Sequence, residues 1–276
     1  MTAERLAWAD RSDDVETCRS GRMILDQFKI DGKVALVTGA TSGLGQGMCQ
    51  ALAEAGADIA GVGSSGKFAE TQKAVEATGR KFLGIKADLT SMAPLDEIVQ
   101  KTRQTLGRID ILINNAGFVR RSPSIEYSEQ DWDDVLQIHL KGSFFLCQKV
   151  ARVFREQGDG GKIINVASML SYSGGLHVPS YAAAKSGLAG LTKALCNEWA
   201  CEGINVNAIA PGYFETLPTQ GIRDDPERFR SVCERIPAKR WGQPADLAGL
   251  VVYLASAASD YCHGGIYPVD GGWLAR

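Results

Sequence analysis

The segment 33-KVALVTGATSGLGQG-47 decides the fold of this chain. A short apolar run is followed at once by glycines at positions 39, 43 and 45, and then by residues with helical spacing. Glycine lets the main chain approach a ligand closely, and the first turn of a helix presents free N–H groups to an anion. Three glycines alone are a weak signal, but a strand, a glycine-rich turn and a helix in this order predict a dinucleotide site.

Along the chain, short runs rich in Val and Ile recur in the pattern that is typical of buried parallel strands. These runs are 33–37, 57–63, 81–86, 109–115, 162–168, 204–210 and 266–270. Segments with helical spacing lie between them, at 44–55, 92–106, 131–156, 179–201 and 244–256. The alternation predicts the α/β class, with a single Rossmann-type doubly wound parallel sheet of about seven strands and helices on both faces.

The composition favours one catalytic domain in the cytoplasm. The 276 residues include 30 Lys and Arg against 32 Asp and Glu, and the chain has no basic tract that would predict binding to nucleic acid or to a membrane. The seven cysteines are dispersed without metal-ligand spacing, as is typical of reduced thiols, so we expect no metal.

Residues 1–22 are polar and unpatterned, which predicts a disordered extension before a single dinucleotide-binding domain over 23–276. The alternative is an arm that packs on a partner subunit.

A phenol and an amine stand one helical turn apart in 178-VPSYAAAKSG-187. Hydride transfer at a carbinol carbon also requires a proton to move at its oxygen, and Tyr181 could move it if its pKa were lowered. The ammonium of Lys185 lies on the same helix face and favours the phenolate. Ser168 ends the run 162–168 at the sheet edge where ligands bind, so it could hydrogen-bond the substrate oxygen. A Tyr packed along a Lys stem is the structural alternative.

Taken together, these motifs resemble the short-chain dehydrogenase/reductase family from about Gly32 to Arg276. The matching stretches are TGATSGLG (38–45), ADL (87–89), NNAG (114–117), Ser168, YAAAK (181–185) and PGYFET (211–216). The resemblance implies that Tyr181 exchanges the proton, that Lys185 lowers its pKa and holds the nicotinamide ribose, and that Ser168 orients the substrate. A non-catalytic regulator with the same fold would be expected to lack one of these three residues.

The same resemblance implies which residues contact the coenzyme. They come from the glycine loop, from the ends of the following strands and from the YAAAK and PGYFET segments. The expected set is Gly39, Thr41, Ser42, Gly43, Leu44, Gly45, Ser64, Asp88, Leu89, Asn115, Ala116, Gly117, Tyr181, Lys185, Pro211, Gly212 and Thr216.

One position departs from the family pattern. The family usually has an asparagine in the helix after NNAG, where its backbone carbonyl holds a water that links to the lysine, and this chain has His139 there. Histidine also supplies a backbone carbonyl. Two interpretations therefore stay open: only the main chain of His139 matters, or its imidazole takes part in the proton relay.

Finer stretches, among them FVRR (118–121), GGKIINVASMLSYSGG (160–175) and RIPAKRWG (235–242), resemble family members that act on keto-deoxy sugar acids. This implies interconversion of 2-dehydro-3-deoxy-D-gluconate and its 2,5-diketo form in uronate or pectin breakdown, by a homotetramer. A sugar acid needs a cation for its carboxylate, which Arg120 or Arg121 could supply from the loop after NNAG. His177 is expected near the mouth of the site. Further candidates lie in the segment after PGYFET, at Arg223, Arg235 and Arg240.

The coenzyme is expected to be NAD, with NADP possible. The end of the second predicted strand reads GVGSSGK (61–67), with neither the acid that binds a ribose 2′-hydroxyl nor the arginine that binds a 2′-phosphate. The alternative function that we retain is an NADPH-dependent 3-oxoacyl-carrier-protein reductase, which would need a basic surface for its acidic carrier protein.

Overall fold

The computed structural model describes residues 23–276, so the extension predicted over residues 1–22 lies outside the described residues. The strands are β1 Val34–Thr38, β2 Asp58–Gly63, β3 Phe82–Lys86, β4 Ile111–Asn114, β5 Gly161–Val166, β6 Ile204–Pro211 and β7 Ile266–Val269. The α-helices are α1 Gly43–Glu54, α2 Ala69–Glu76, α3 Leu95–Leu106, α4 Glu129–Leu136, α5 Gly142–Gln157, α6 Pro179–Trp199, α7 Gln220–Arg223, α8 Pro226–Arg235 and α9 Ala248–Ala255. A π-helical segment, Gln137–Lys141, joins α4 to α5.

The strands form one parallel sheet in the order β3-β2-β1-β4-β5-β6-β7. The predicted doubly wound sheet is therefore confirmed. The chain leaves β1 toward β2 and β3 on one side and returns to β4 on the other, so the strand order reverses between β1 and β4. Ligands of such sheets bind outside the carboxyl ends of the strands at this reversal.

Helices cover both faces of the sheet. Successive side chains of a strand point to opposite faces, and in these strands both sets are apolar, so both faces need a covering layer. In β1, Leu36 packs with α3, α5 and α6, whereas Ala35 and Val37 on the opposite face pack with α1, α2 and α9. The same alternation holds in β5, where Ile163 belongs to the first layer and Ile164 to the second. Two apolar cores thus hold the strand ends rigid, which is what a positioned site requires.

The turn between β1 and α1 is built for close main-chain packing. A Cβ atom added at Gly45, in the first turn of α1, would lie 2.0 Å from the carbonyl oxygen of Gly39, a distance that no side chain can occupy. Only glycine therefore lets α1 begin directly above the end of β1, with its N–H groups turned toward the cavity there.

Two further segments of the fold bear on the site. Residues 217–235, which carry α7 and α8, follow β6 in the chain and help to line the cavity at the carboxyl edge of the sheet. Within residues 23–276, no helix combines the length and the apolar character that crossing a membrane requires.

Candidate active site

A cavity of about 810 Å³ opens at the carboxyl ends of the strands, where the strand order reverses. Its volume lies in the range of small-molecule sites. All seventeen residues expected to contact a coenzyme line it, together with Ser168, Arg121 and His139. The fold thus brings together residues that are up to 177 positions apart in the chain, from Gly39 to Thr216.

Asn115 fastens the glycine loop to the end of β4. Its side-chain amide donates to the carbonyl oxygen of Thr38 at 2.9 Å, and its backbone N–H donates to the Thr38 hydroxyl at 2.9 Å. The same hydroxyl accepts from the backbone N–H of Ala116 at 3.0 Å. Thr38, which sequence reasoning did not select, therefore joins the two loops that flank the predicted coenzyme site.

Ser168, Tyr181 and Lys185 meet on one wall of the cavity. Ser168 is 7 % exposed, its hydroxyl oxygen accepts from the backbone N–H of Leu170 at 3.1 Å, and its side chain hydrogen-bonds the phenol of Tyr181. The ammonium of Lys185 lies 5.5 Å from the centre of the Tyr181 ring and donates to the carbonyl oxygen of Val166 at 2.5 Å. This is the arrangement that proton transfer at a substrate oxygen requires.

The pKa of the phenol differs from the sequence-based expectation. Burial raises the pKa of Tyr181 above its usual range, and the hydrogen bond with Ser168 and the positive charge of Arg121 offset only part of that increase. Burial also lowers the pKa of Lys185 to about 7, so near neutral pH this amine is only partly charged. The predicted lowering of the Tyr181 pKa by Lys185 is therefore not seen in this structure, because the expectation counted the attraction between the two groups and left out their burial.

His139 lies in the π-helical segment, a distortion that often marks functional sites. Its ring is 3 % exposed and meets the ring of Tyr181 edge-on, with centroids 5.1 Å apart and an interplanar angle of 87°. The ring lies directly over Gly117, where an added Cβ atom would be 1.8 Å from Cε1 of His139. Glycine at position 117 is thus what admits an imidazole at position 139.

The structure separates the two neighbouring arginines. Arg120 points away from the cavity, because its guanidinium pairs with Asp131 at 3.3 Å and stacks 4.7 Å from the ring centre of Phe118. Arg121 lines the cavity, close enough to Tyr181 for its charge to lower the pKa of the phenol. Of the two predicted carboxylate ligands, only Arg121 is therefore placed to meet a substrate.

His177 lies outside the set of residues that line the cavity. Its side chain is exposed, its φ angle is 61°, and its carbonyl oxygen accepts from the backbone N–H of Ser122 at 3.1 Å. The main chain of His177 thus supports the loop that carries Arg121. Its predicted contact with substrate through the imidazole stays a prediction.

The segment after β6 supplies a second cationic wall. Arg235 lines the cavity with its guanidinium stacked 3.9 Å above the ring centre of Trp273, and Arg228 lines it as well. Arg240 instead pairs with Asp246, and Arg223 donates to the carbonyl oxygen of Thr216 at 3.2 Å. The sequence analysis did not select Arg228 or Trp273. No motif marks them: Arg228 lies in the segment after PGYFET, and Trp273 lies near the end of the chain.

Comparison with known proteins agrees with this geometry. A family model described as enoyl-(acyl carrier protein) reductase matches residues 39–274. The chain is 54 % identical to the 2-dehydro-3-deoxy-D-gluconate 5-dehydrogenase of Dickeya dadantii (strain 3937), over 92 % of this chain and 100 % of that protein. It is 52 % identical to the protein of the same name from Escherichia coli (strain K12), with the same coverage.

A solved structure is similar over nearly the whole chain. It is the crystal structure of a protein from Agrobacterium tumefaciens that is provisionally named 2-deoxy-D-gluconate 3-dehydrogenase and carries bound NADP. The TM-score is 0.85 at 48 % sequence identity, over 91 % of this chain and 100 % of that chain.

Proposed function

Because the chain belongs to the short-chain dehydrogenase/reductase family, we propose that this oxidoreductase interconverts 2-dehydro-3-deoxy-D-gluconate and its 2,5-diketo form. The observation that carries the proposal is the meeting of Ser168, Tyr181 and Arg121 in one cavity. The first two residues can serve a reacting oxygen, and the third can serve a carboxylate on the same molecule. The two relatives and the solved structure described above are named for dehydrogenases of sugar acids, which supports the same substrate class.

The proton chemistry follows from the cavity wall. A nicotinamide coenzyme, when bound by the glycine loop and the ends of β2 and β4, supplies or accepts the hydride. Ser168 holds the substrate oxygen, and Tyr181 gives that oxygen a proton during ketone reduction or takes one during alcohol oxidation. Lys185 is held against Tyr181 by its bond to Val166. In its protonated form the amine favours the phenolate that oxidation requires, against the burial that raises the pKa of Tyr181 in the free enzyme.

Purified protein would be assayed with the 2,5-diketo acid and, for comparison, with a 3-oxoacyl thioester, while nicotinamide absorbance is followed. We expect turnover of the diketo acid to exceed that of the thioester by orders of magnitude. Exclusive turnover of the thioester would contradict the proposal in favour of carrier-protein chemistry.

We propose in addition that the enzyme works in the cytoplasm, in uronate breakdown, and as a homotetramer. An open apolar depression that Leu136, Leu140, Phe144 and Leu191 help to line is consistent with burial against another subunit.

We predict that Arg121→Gln raises KM for the diketo acid by about 10- to 100-fold. A charged hydrogen bond contributes about 1.5–3 kcal/mol, which corresponds to a factor in that range. The matched control is Arg120→Gln, in which the lost partner is Asp131 rather than substrate, so KM should stay near the wild-type value. Arg121→Lys keeps the charge beside Tyr181 but not the planar fork, and should fall between the two.

Equal KM values in Arg121→Gln and Arg120→Gln would contradict this assignment. A neutral ketone that lacks the carboxylate provides the second control. Its KM should not respond to Arg121→Gln, whereas its kcat for alcohol oxidation should fall, because a positive charge that lowers the pKa of the Tyr181 phenol is lost.

We predict a modest preference for NADH over NADPH. The end of β2 offers Gly63 and Ser64 without an arginine, and a 2′-phosphate needs a cation. The structure brings one cation closer than the sequence indicates: Gly63 pairs with Lys86 in β3, and a Cβ atom added at Gly66 would lie 3.1 Å from Cδ of Lys86. Lys86 and Lys67 therefore both flank this loop, which limits the discrimination against NADPH.

The measurement is kcat/KM for NADH and NADPH with one keto acid, in the wild type, Lys67→Ala and Lys86→Ala. Each substitution should lower kcat/KM for NADPH by less than about tenfold and leave NADH unchanged, since an exposed charge pair contributes about 1 kcal/mol or less. A tenfold or larger preference for NADPH in the wild type would contradict the prediction. The variant that abolishes such a preference would identify the cation responsible.

A further inference from the structure

His139 carries a ring nitrogen to which the proposed reaction gives no role. Its Nε2 lies 2.8 Å from the carbonyl oxygen of Phe118. A carbonyl oxygen can only accept, so this contact places the proton on Nε2 and leaves a lone pair on Nδ1. Nδ1 is buried, and within residues 23–276 it has no hydrogen-bond partner. Burial of an acceptor without a partner destabilises the folded chain, so its presence next to a reaction centre requires an explanation.

The imidazole of His139 is held in place by three contacts. It is held on one side by the bond to Phe118, on another by the edge-on contact with Tyr181, and beneath by Gly117. The imidazole also stays neutral, because burial and the charge of Lys185 lower the pKa of His139 well below its usual range. His139, one of the residues that line the cavity, therefore carries a fixed, uncharged acceptor just below the surface.

The donor that suits this acceptor lies on α6. The His139 ring contacts Tyr181 edge-on, and the ammonium of Lys185 lies 5.5 Å from the centre of the same Tyr181 ring. Lys185 is near enough for its charge to lower the pKa of His139, and Arg121 is near enough to lower the pKa of Tyr181. Lys185 has three N–H donors, and one of them is engaged by the carbonyl oxygen of Val166. A second neutral acceptor would favour the charged form of a buried amine whose environment otherwise opposes charge.

We propose that His139 is a positioning residue whose Nδ1 accepts a hydrogen bond from the Lys185 ammonium, directly or through one water, during turnover. The side chain then keeps the amine charged and directed toward Tyr181. This role goes beyond the main-chain carbonyl that the family resemblance implies at this position. It rests on the proposed oxidoreductase function, so its experiments include one that does not depend on activity.

The kinetic test compares His139→Phe with His139→Gln in the direction of alcohol oxidation. Phenylalanine keeps the ring contact with Tyr181 but has no acceptor, whereas glutamine can donate to Phe118 and accept at Oε1. For His139→Phe we expect kcat/KM at pH 7 to fall about tenfold and the acid limb of the pH profile to move up by about one unit, since one pKa unit corresponds to a factor of ten. His139→Gln should stay within about threefold of the wild type and keep its profile. Unchanged profiles in both variants, or equal shifts in both, would overturn the proposal.

The second test reads the tautomer in the wild-type protein. The chain has three histidines, so ¹⁵N-histidine labelling gives a spectrum in which loss of a signal pair in His139→Gln makes the assignment. We expect a protonated Nε2, an unprotonated Nδ1 and no titration of this ring between about pH 5.5 and 8.5. A proton on Nδ1, or titration near the usual pKa, would overturn the proposal even if the substitutions prevent folding. Absence of any dehydrogenase activity would instead contradict the proposed function and leave this spectrum as the deciding result for His139.

Discussion

Replacement of Tyr181 by phenylalanine is expected to lower kcat by about 10²- to 10⁴-fold, the usual contribution of a positioned proton donor or acceptor. The ring should keep its place, because its contacts with the imidazole of His139 and with the ammonium of Lys185 involve the aromatic ring rather than the hydroxyl. Coenzyme affinity should therefore stay within about threefold of the wild-type value, a change of less than about 1 kcal/mol. The measurements are steady-state kcat with the diketo acid and fluorescence titration with NADH.

The control for this prediction is Ser168→Ala. That substitution removes the hydrogen bond that lowers the pKa of the phenol but leaves the phenol itself in place. We expect a smaller loss of kcat than in Tyr181→Phe, together with a displacement of the acid limb of the oxidation profile to higher pH. Near-normal turnover in Tyr181→Phe would show that another group moves the proton.

The coenzyme side of the cavity could be predicted from the sequence, because the glycine loop and each strand end are recognisable from a few consecutive residues. A strand, a glycine turn and a helix specify the loop from Gly39 to Gly45 within a few residues, and the alternation of strands and helices places all strand ends at one edge. The residues expected to contact the coenzyme follow those strand ends. They line one cavity for that reason.

Side-chain choices between neighbours could not be predicted in the same way. Arg120 and Arg121 are adjacent and chemically identical, and what separates them is Asp131, which lies on a different element and engages only Arg120. Arg228 and Trp273 reach the cavity through the packing of α8 and the chain end, for which no local pattern exists. Side-chain direction over such sequence separations is a property of tertiary packing.

The pKa values show a second limit of sequence reasoning. Spacing predicts that Lys185 stands beside Tyr181, and it does, at 5.5 Å from the ring centre. The attraction between two groups can be estimated from such a spacing, but the cost of removing both from water depends on the surrounding residues. Here that cost is the larger effect on both groups.

Replacement of Lys185 by methionine is expected to abolish most activity and yet to stabilise the free enzyme. Turnover should fall by at least about 10²-fold, because the group that favours the phenolate is lost. Coenzyme binding should weaken as well, if Lys185 holds the ribose as the family resemblance implies. Stability should rise because Lys185 is 3 % exposed and its pKa is lowered to about 7, so the folded chain suppresses a charge that the unfolded chain carries freely.

The sign and the pH window of the stability effect follow from that lowered pKa. Below about pH 7 both states of the wild type bind the proton, and the folded state bears the full cost of the buried charge. Between about pH 7 and the usual lysine pKa of 10.5, the unfolded chain binds a proton that the folded chain does not, so wild-type stability gains up to about 1.4 kcal/mol per pH unit from this group. Methionine has no such dependence.

The stability advantage of Lys185→Met should therefore be on the order of 1–3 kcal/mol at pH 6, after loss of the bond to Val166, and should shrink toward pH 9. Urea unfolding of both proteins at the two pH values measures this difference, and an advantage that is absent at pH 6, or that grows toward pH 9, would contradict the assignment of Lys185 as a buried amine held near its point of titration.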